Sequence, residues 1–215
     1  MTQYIILMGA GSGERMGDIT PKQFLEINGL PLIIHTYNKV KIIKNTNVII
    51  VLPLKKFSHW KSIIKEYIHE DVKIISGGST RKQSVTNGIE SIRNKNGYVA
   101  IHDGVRPLAS SNLFEKLFLS AKKYGNAVPF VKSINSLREI DGKKNKAVDR
   151  SKIVQIQTPQ IFRINEIIEC LDKSKEETFT DEASLLERFG FKINLVEGED
   201  ENIKVTTKKD LGYIL

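Results

Sequence analysis

A doubly wound α/β domain with a mainly parallel sheet is the fold class this sequence predicts. Two observations carry that expectation. Short apolar runs bounded by turn residues alternate with helical patterns from the amino terminus onward, and the helical stretches have the roughly 10 to 15 residues that right-handed crossovers between parallel strands require. The chain has 215 residues, 40 % hydrophobic and 27 % charged, which suits one soluble globular domain with a sizeable core.

The elements follow in order. The first strand is expected over Tyr4–Met8, then a helix through Pro31–Ile43, a strand over Asn47–Pro53 and a helix around Lys56–Ile68. The rhythm continues with a strand over Asp71–Ser76, a helix through Thr80–Arg93, a strand over Tyr98–Asp103, a helix over Ser111–Tyr124 and a strand over Asn126–Val131. It breaks at residues 132 to 150. There Asp141-Gly142 between two extended halves signals a type I′ hairpin, whose central positions both need positive φ. Such an excursion has little core of its own, so it is expected to be a protruding arm that pairs with a second subunit. After it come an extended Lys152–Gln157, helices near Ile164–Lys173 and Thr180–Phe189, strands at Lys192–Gly198 and Asn202–Val205, and a closing helix. Thr180 is expected as a helix N-cap, and Thr207 with Asp210 three later as a capping box. With no repeat or linker, the whole of 1–215 reads as one domain carrying an arm at about 132–150.

Composition narrows the function classes. Every apolar stretch is interrupted well before the roughly 18 residues of a membrane helix, and no basic segment precedes the first apolar run, so a cytoplasmic protein is expected. The single cysteine, Cys170, excludes internal disulfides and a cysteine-based zinc site, and the four histidines lack metal-ligand spacing. A bound metal would be held by oxygen. The formal charge of +8 invites a nucleic-acid reading, yet the 33 basic residues are mostly lysines scattered along the chain, as in a solvated coat. Phosphate on a small molecule is the better expectation, because Arg15, Arg81, Arg106 and Arg150 fall in segments that look functional on other grounds.

In a parallel α/β sheet, ligands bind beyond the carboxyl ends of the strands. The first such end, Gly9-Ala10-Gly11-Ser12-Gly13-Glu14-Arg15, is followed closely by Pro21-Lys22-Gln23. Its glycines let backbone N–H groups approach a phosphate, but Glu14 occupies the last glycine position of a dinucleotide fingerprint and no Walker Gly-Lys-Ser/Thr is present. Arg15 and Lys22 would supply the positive charge instead. The second end, Gly77-Gly78-Ser79-Thr80-Arg81-Lys82-Gln83-Ser84, suits a flat ring packed against backbone, although it also reads as an ordinary loop and N-cap. The third ends a strand with Asp103, able to coordinate Mg²⁺ together with substrate phosphates. Arg106 stands three residues on, able to contact the same anion or to pair with Asp103, and His102 is expected in the core. Later segments contain Thr158, Thr180 and Lys204, with no hydrolytic triad among them.

Taken together, these segments resemble the family of 2-C-methyl-D-erythritol 4-phosphate cytidylyltransferases. The resemblance runs through G-x-G-x-R-M, P-K-Q-F, G-G-x-x-R-x-x-S-V-x-N-G, H-D-x-x-R-P, V-D-R-S, Q-T-P-Q-x-F, T-D-E-A-S and E-G-x-x-x-N-I-K-V-T, in register across nearly the whole chain. It implies a Rossmann-like nucleotidyltransferase that moves CMP from CTP to the polyol phosphate with Mg²⁺, releasing pyrophosphate. It further implies Arg15 and Lys22 as catalytic, with Ala10, Gly11, Ser12, Gly13, Gly78, Ser79, Ser84, Asp103 and Arg106 binding nucleotide and Asp103 holding the metal. Ser136, Arg150, Thr158, Thr180 and Lys204 would bind the polyol phosphate, Arg150 reaching the other subunit of an arm-exchanged homodimer. Asn135 stands where the family usually has Asp, Lys132 where it has Pro, and Gly104-Val105 where Ala-Ala is common.

Three other readings are separable. A ribitol-5-phosphate cytidylyltransferase resembles this family in fold, but T-D-E-A-S and V-D-R-S favour the methylerythritol enzyme. A non-catalytic nucleotide or RNA-binding module would bind with steep salt dependence and no turnover. A dinucleotide oxidoreductase is disfavoured by the failed glycine fingerprint. CTP, a polyol phosphate and a second copy of the chain are therefore the expected partners, with neither nucleic acid nor membrane.

Overall fold

The computed structural model describes residues 1–11, 20–175 and 179–214. The expected α/β sheet is present. Strands β1 (Thr2–Met8), β2 (Glu26–Ile27), β3 (Leu30–Pro31), β4 (Thr46–Leu52), β5 (Lys73–Ser76) and β6 (Gly97–Asp103) alternate with helices α1 (Leu32–Val40), α2 (Phe57–Tyr67) and α3 (Arg81–Glu90). Then follow α4 (Ser111–Tyr124), β7 (Asn126–Lys132), β8 (Leu137–Asp141), β9 (Lys144–Val148), β10 (Val154–Ile156), β11 (Gln160–Arg163), α5 (Ile164–Lys173), α6 (Glu182–Arg188) and β12 (Leu195–Glu197). The eight-stranded sheet runs β10-β7-β11-β6-β1-β4-β5, with β12 added on β7. Pairs β5–β4, β4–β1, β1–β6 and β12–β7 are parallel, and β11 is antiparallel to both its neighbours.

Period-two burial explains the two-sided packing. Along β1, Ile6 joins a core with Val85 and Ile89 of α3, Ile167 of α5 and Leu186 of α6. Its neighbours point the other way, Ile5 toward Val40 of α1 and Phe114 of α4, Leu7 toward Ile34 of α1 and Ile64 of α2. Because helices cover both faces, β1 and β6 read as continuous apolar runs rather than alternating ones. Backbone bonds then level the strand ends at one edge: Gly9 N–H donates to Val51 O (2.8 Å), Gly77 N–H to Leu52 O (2.8 Å) and Gly104 N–H to Met8 O (2.9 Å). At Gly77 a Cβ would lie 2.7 Å from Ala10 Cβ, so the first and second loops touch where only glycine fits.

Several local expectations are corrected. The expected hairpin is present as β8–β9, but Asp141 pairs with Lys144, so the two-residue turn is Gly142-Lys143. Only Gly142 has positive φ (58°), the pattern of a type II′ turn rather than I′. The type I′ signature instead sits at Asn28-Gly29 (φ 50° and 75°), joining β2 to β3. Asp181, not Thr180, caps α6, accepting from Ser184 N–H (3.0 Å). The Asp carboxylate, acceptor-only and one bond longer than the Thr hydroxyl, reaches that N–H. Asn202–Val205 forms no strand; Val205 N–H bonds Val105 O (3.0 Å), tying the segment to the loop after β6. The closing helix is a 3₁₀ segment with the expected Thr207–Asp210 capping box. Among the described residues no helix is long and apolar enough to cross a membrane.

Candidate active site

The ends of β1, β4, β5 and β6 open onto a cleft of about 860 Å³. It lies where the strand order reverses, the chain running from β1 to β4 and β5 on one side and then crossing back through α3 to β6 on the other, as expected for a topological switch point. Its described lining includes Ala10, Gly11, Lys22, Gly78, Ser79, Ser84, Asp103 and Lys204, so eight residues singled out in the sequence converge there. Arg15, Ser12 and Gly13 lie outside the described residues. Lys55, Lys56 and Arg81 join Lys22 and Lys204 on the wall, giving five cations against one carboxylate. Such a wall favours a polyanionic ligand.

Each loop is held by its own chemistry. Gln23 is buried and its amide donates to Gly9 O (2.6 Å) and Gly11 O (2.9 Å), clamping the start of the glycine loop from the P-K-Q-F segment. Lys22 Nζ, on the same short 3₁₀ turn, donates to Val205 O (3.1 Å). In the second loop Ser84 Oγ accepts from Gly78 N–H (3.0 Å) and donates to Thr80 O (2.9 Å), so this hydroxyl shapes the glycine turn. Thr80 caps α3, and Ser79 is bound to Gln83 Oε1 through both N–H and hydroxyl. Trp60 closes one end, stacked on Phe24 at 4.2 Å between centroids.

Asp103 is the electrostatic centre. Lys204 Nζ (3.0 Å) and Arg106 Nε (3.2 Å) contact Oδ2, and Arg81 Nη1 stands 3.7 Å from Oδ1. Burial alone would raise this carboxyl, but Lys204, Arg81 and Arg106 together hold it well below the usual carboxylate range. It is therefore ionised near neutral pH. Its backbone N–H donates to Thr158 Oγ1 (3.0 Å), which also contacts His102 Nδ1 (3.1 Å), while His102 Nε2 faces Arg106 O (3.3 Å). Burial pushes His102 down to about 4, so the ring is neutral near pH 7. The network then assigns the proton to Nε2, with the Thr158 hydroxyl donating to Nδ1. His102 is thus a core residue, as expected.

Other expected positions fall elsewhere. Arg106 is buried behind Asp103, its second contact Nη1 to Asn202 O (2.7 Å), and is absent from the cleft wall. Thr158 reaches the site only through the Asp103 backbone. Thr180 is exposed beside Ser184, and Ser136 and Arg150 sit at the root of the arm, where Arg150 donates to Ile134 O. What the sequence reading passed over is the partner of Arg81. Glu182 is wholly buried and accepts from Arg81 Nε (2.9 Å) and Nη2 (2.8 Å), lifting the guanidinium above its ordinary value.

Among the described residues no cluster of three or more His, Cys, Asp or Glu can cage a metal. Asp103 is nevertheless a hard oxygen donor on a cation-lined wall, and Mg²⁺ is commonly held by one or two carboxylates plus substrate phosphates. The donor set fits that ion.

Comparison with known proteins identifies the family. The family model for 2-C-methyl-D-erythritol 4-phosphate cytidylyltransferase matches residues 3–214. A protein of that name from Azobacteroides pseudotrichonymphae is 37% identical over 215 residues, covering 98% of this chain and 96% of the relative. Another from Porphyromonas gingivalis is 38% identical over 212 residues, covering 98% and 95%. The crystal structure of 4-diphosphocytidyl-2C-methyl-D-erythritol synthase from Anaerococcus prevotii superposes with a TM-score of 0.83 at 30% identity, covering 99% of this chain and 93% of that one. That of the cytidylyltransferase from Francisella tularensis gives 0.84 at 27%, covering 100% and 98%. The chain belongs to the 2-C-methyl-D-erythritol 4-phosphate cytidylyltransferase family.

Proposed function

We propose that this protein transfers the cytidylyl group of CTP to 2-C-methyl-D-erythritol 4-phosphate, releasing pyrophosphate. The observation that carries the reading is the cleft at the switch point, where a glycine loop clamped by Gln23 faces five cations and a single ionised carboxylate. An oxygen of the acceptor phosphate forms the new bond to the α-phosphorus, and the bond from that phosphorus to the β-phosphate oxygen breaks. The attacking oxygen already carries its charge near neutral pH, so no proton has to be removed. No histidine or cysteine lines the described cleft, in keeping with catalysis by positioning and charge stabilisation. Lys22, with Arg15, would stabilise the five-coordinate phosphorus; Ala10 to Gly13 would meet the triphosphate, and Gly78, Ser79 and Ser84 the cytidine.

Asp103 would hold Mg²⁺, which when bound neutralises charge on the phosphate oxygens. Lys204, paired with Asp103 in this structure, is the cation best placed to turn toward a phosphate. Pyrophosphate release from CTP, measured with each acceptor, tests substrate choice. Methylerythritol phosphate is expected to be turned over faster; preference for ribitol 5-phosphate would overturn the assignment.

The chain functions as one domain whose arm joins it to a second copy, within the cytoplasm. Supporting this, the arm strands are exposed nearly throughout, with Ile134 and Ile140 80% and 77% exposed, and Arg150 is held at the arm root away from its own cleft. Arg150, Ser136, Thr180 and Lys204 would bind the polyol phosphate, Arg150 across the subunit seam, while Thr158, expected among them, would act through the Asp103 backbone it holds. Arg150→Ala is expected to raise KM for the polyol phosphate by about tenfold or more, the effect of losing a charged contact. Mixed with inactive Lys22→Ala, it should recover activity through heterodimers. No recovery in well-mixed heterodimers would show that each site is built within one chain.

A further inference from the structure

Glu182 is the one fully buried carboxylate of the described chain, and the chemistry of the transfer makes no use of it. Its two oxygens take two nitrogens of Arg81, a residue 101 positions earlier in sequence. Arg81 stands at the first position of α3 and lines the cleft, while Glu182 opens α6. A guanidinium gripped at Nε and Nη2 cannot rotate, so its remaining nitrogen, Nη1, keeps a fixed direction. That nitrogen lies 3.7 Å from Asp103 Oδ1, too far for a hydrogen bond, while Oδ2 takes both Lys204 and Arg106. The cleft therefore presents, side by side, a carboxylate oxygen and a donor that do not satisfy each other.

Resting on the cytidylyl-transfer reading above, we propose that Arg81 is a ligand for the nucleotide phosphates and that Glu182 is its positioning residue, aiming Nη1 into the cleft beside Asp103. A bolt between α3 and α6 alone would need no cation exposed on the cleft wall. The arrangement also makes the nucleotide half of the site depend on the T-D-E-A-S segment.

The single tryptophan, Trp60, lines the cleft, so its fluorescence reports occupancy without turnover. Arg81→Lys keeps the charge and a contact to Glu182 but has no third nitrogen to present. It is expected to weaken CTP binding about tenfold, as loss of a charge-assisted hydrogen bond does, while cytidine, which carries no phosphate, binds within about twofold of wild type. Glu182→Gln, which frees the guanidinium to turn, is expected to weaken CTP about three- to tenfold with the same indifference to cytidine. Circular dichroism and melting confirm that each variant is folded; should Glu182→Gln fail to fold, Arg81→Lys decides. A folded Arg81→Lys protein that binds CTP as tightly as wild type, or loses CTP and cytidine equally, overturns the inference. Wild-type protein that does not bind CTP at all would reject the transfer reading itself, and this inference with it.

Discussion

Lys22→Ala is expected to lower kcat by about 10²–10³-fold, the usual cost of removing one preorganised donor to a developing charge. CTP affinity, followed by Trp60 fluorescence, should change by less than about threefold, because the contact matters chiefly at the five-coordinate phosphorus. The geometry supports this split. Lys22 rides on a 3₁₀ turn anchored by buried Gln23 and Phe24, and its Nζ already rests on Val205 O at 3.1 Å, beside Lys204. The ammonium is therefore held at the cleft before substrate arrives. A large loss of CTP affinity at unchanged turnover would refute the assigned role.

The second large effect is expected at Asp103. Asp103→Asn preserves shape and the N–H bond to Thr158 but removes the charge that Lys204, Arg106 and Arg81 surround. If Asp103 holds Mg²⁺ as proposed, its loss should lower kcat/KM by about 10²-fold or more at any Mg²⁺ concentration, since several kcal/mol of charge stabilisation go with it. The buried Arg106 guanidinium loses its countercharge as well, which should cost about 1–3 kcal/mol of stability. The sign with pH follows from the depressed carboxyl. Its contribution is fully present above the unfolded value and is lost only as pH falls through the lower folded one. The stability gap between wild type and variant should therefore be constant near neutrality and close only in acid. A variant with more than a third of wild-type turnover would exclude Asp103 as the metal-holding residue.

Sequence carried most of the architecture because its strongest signals are local. Crossover helices and buried strands have unmistakable periods, and α4 and α5 begin and end at the expected residues. Where the reading slipped, a short-range signal met a tertiary constraint. Strand β11 has only four residues, too few for a period, and becomes a strand because it fills the gap between β6 and β7. The turn of the arm moved by one residue because pairing Asp141 with Lys144 sets the register, leaving glycine where positive φ is needed. In the site, the strand-end rule located both glycine loops and Asp103, since topology alone brings those together. It could not tell Arg81 from Arg106. Arg106, three residues from Asp103, is turned inward by Asn202, whereas Arg81 is brought to the cleft by a carboxylate far along the chain. Contacts of that range leave no spacing to read.

The central claim is a single direct displacement at the α-phosphorus, with substrate phosphate as the only nucleophile. The stereochemical course of transfer from CTP carrying a chiral sulfur substitution at that phosphorus tests it most directly. Inversion of configuration is predicted; retention would require two successive displacements through a cytidylylated side chain and would contradict the account.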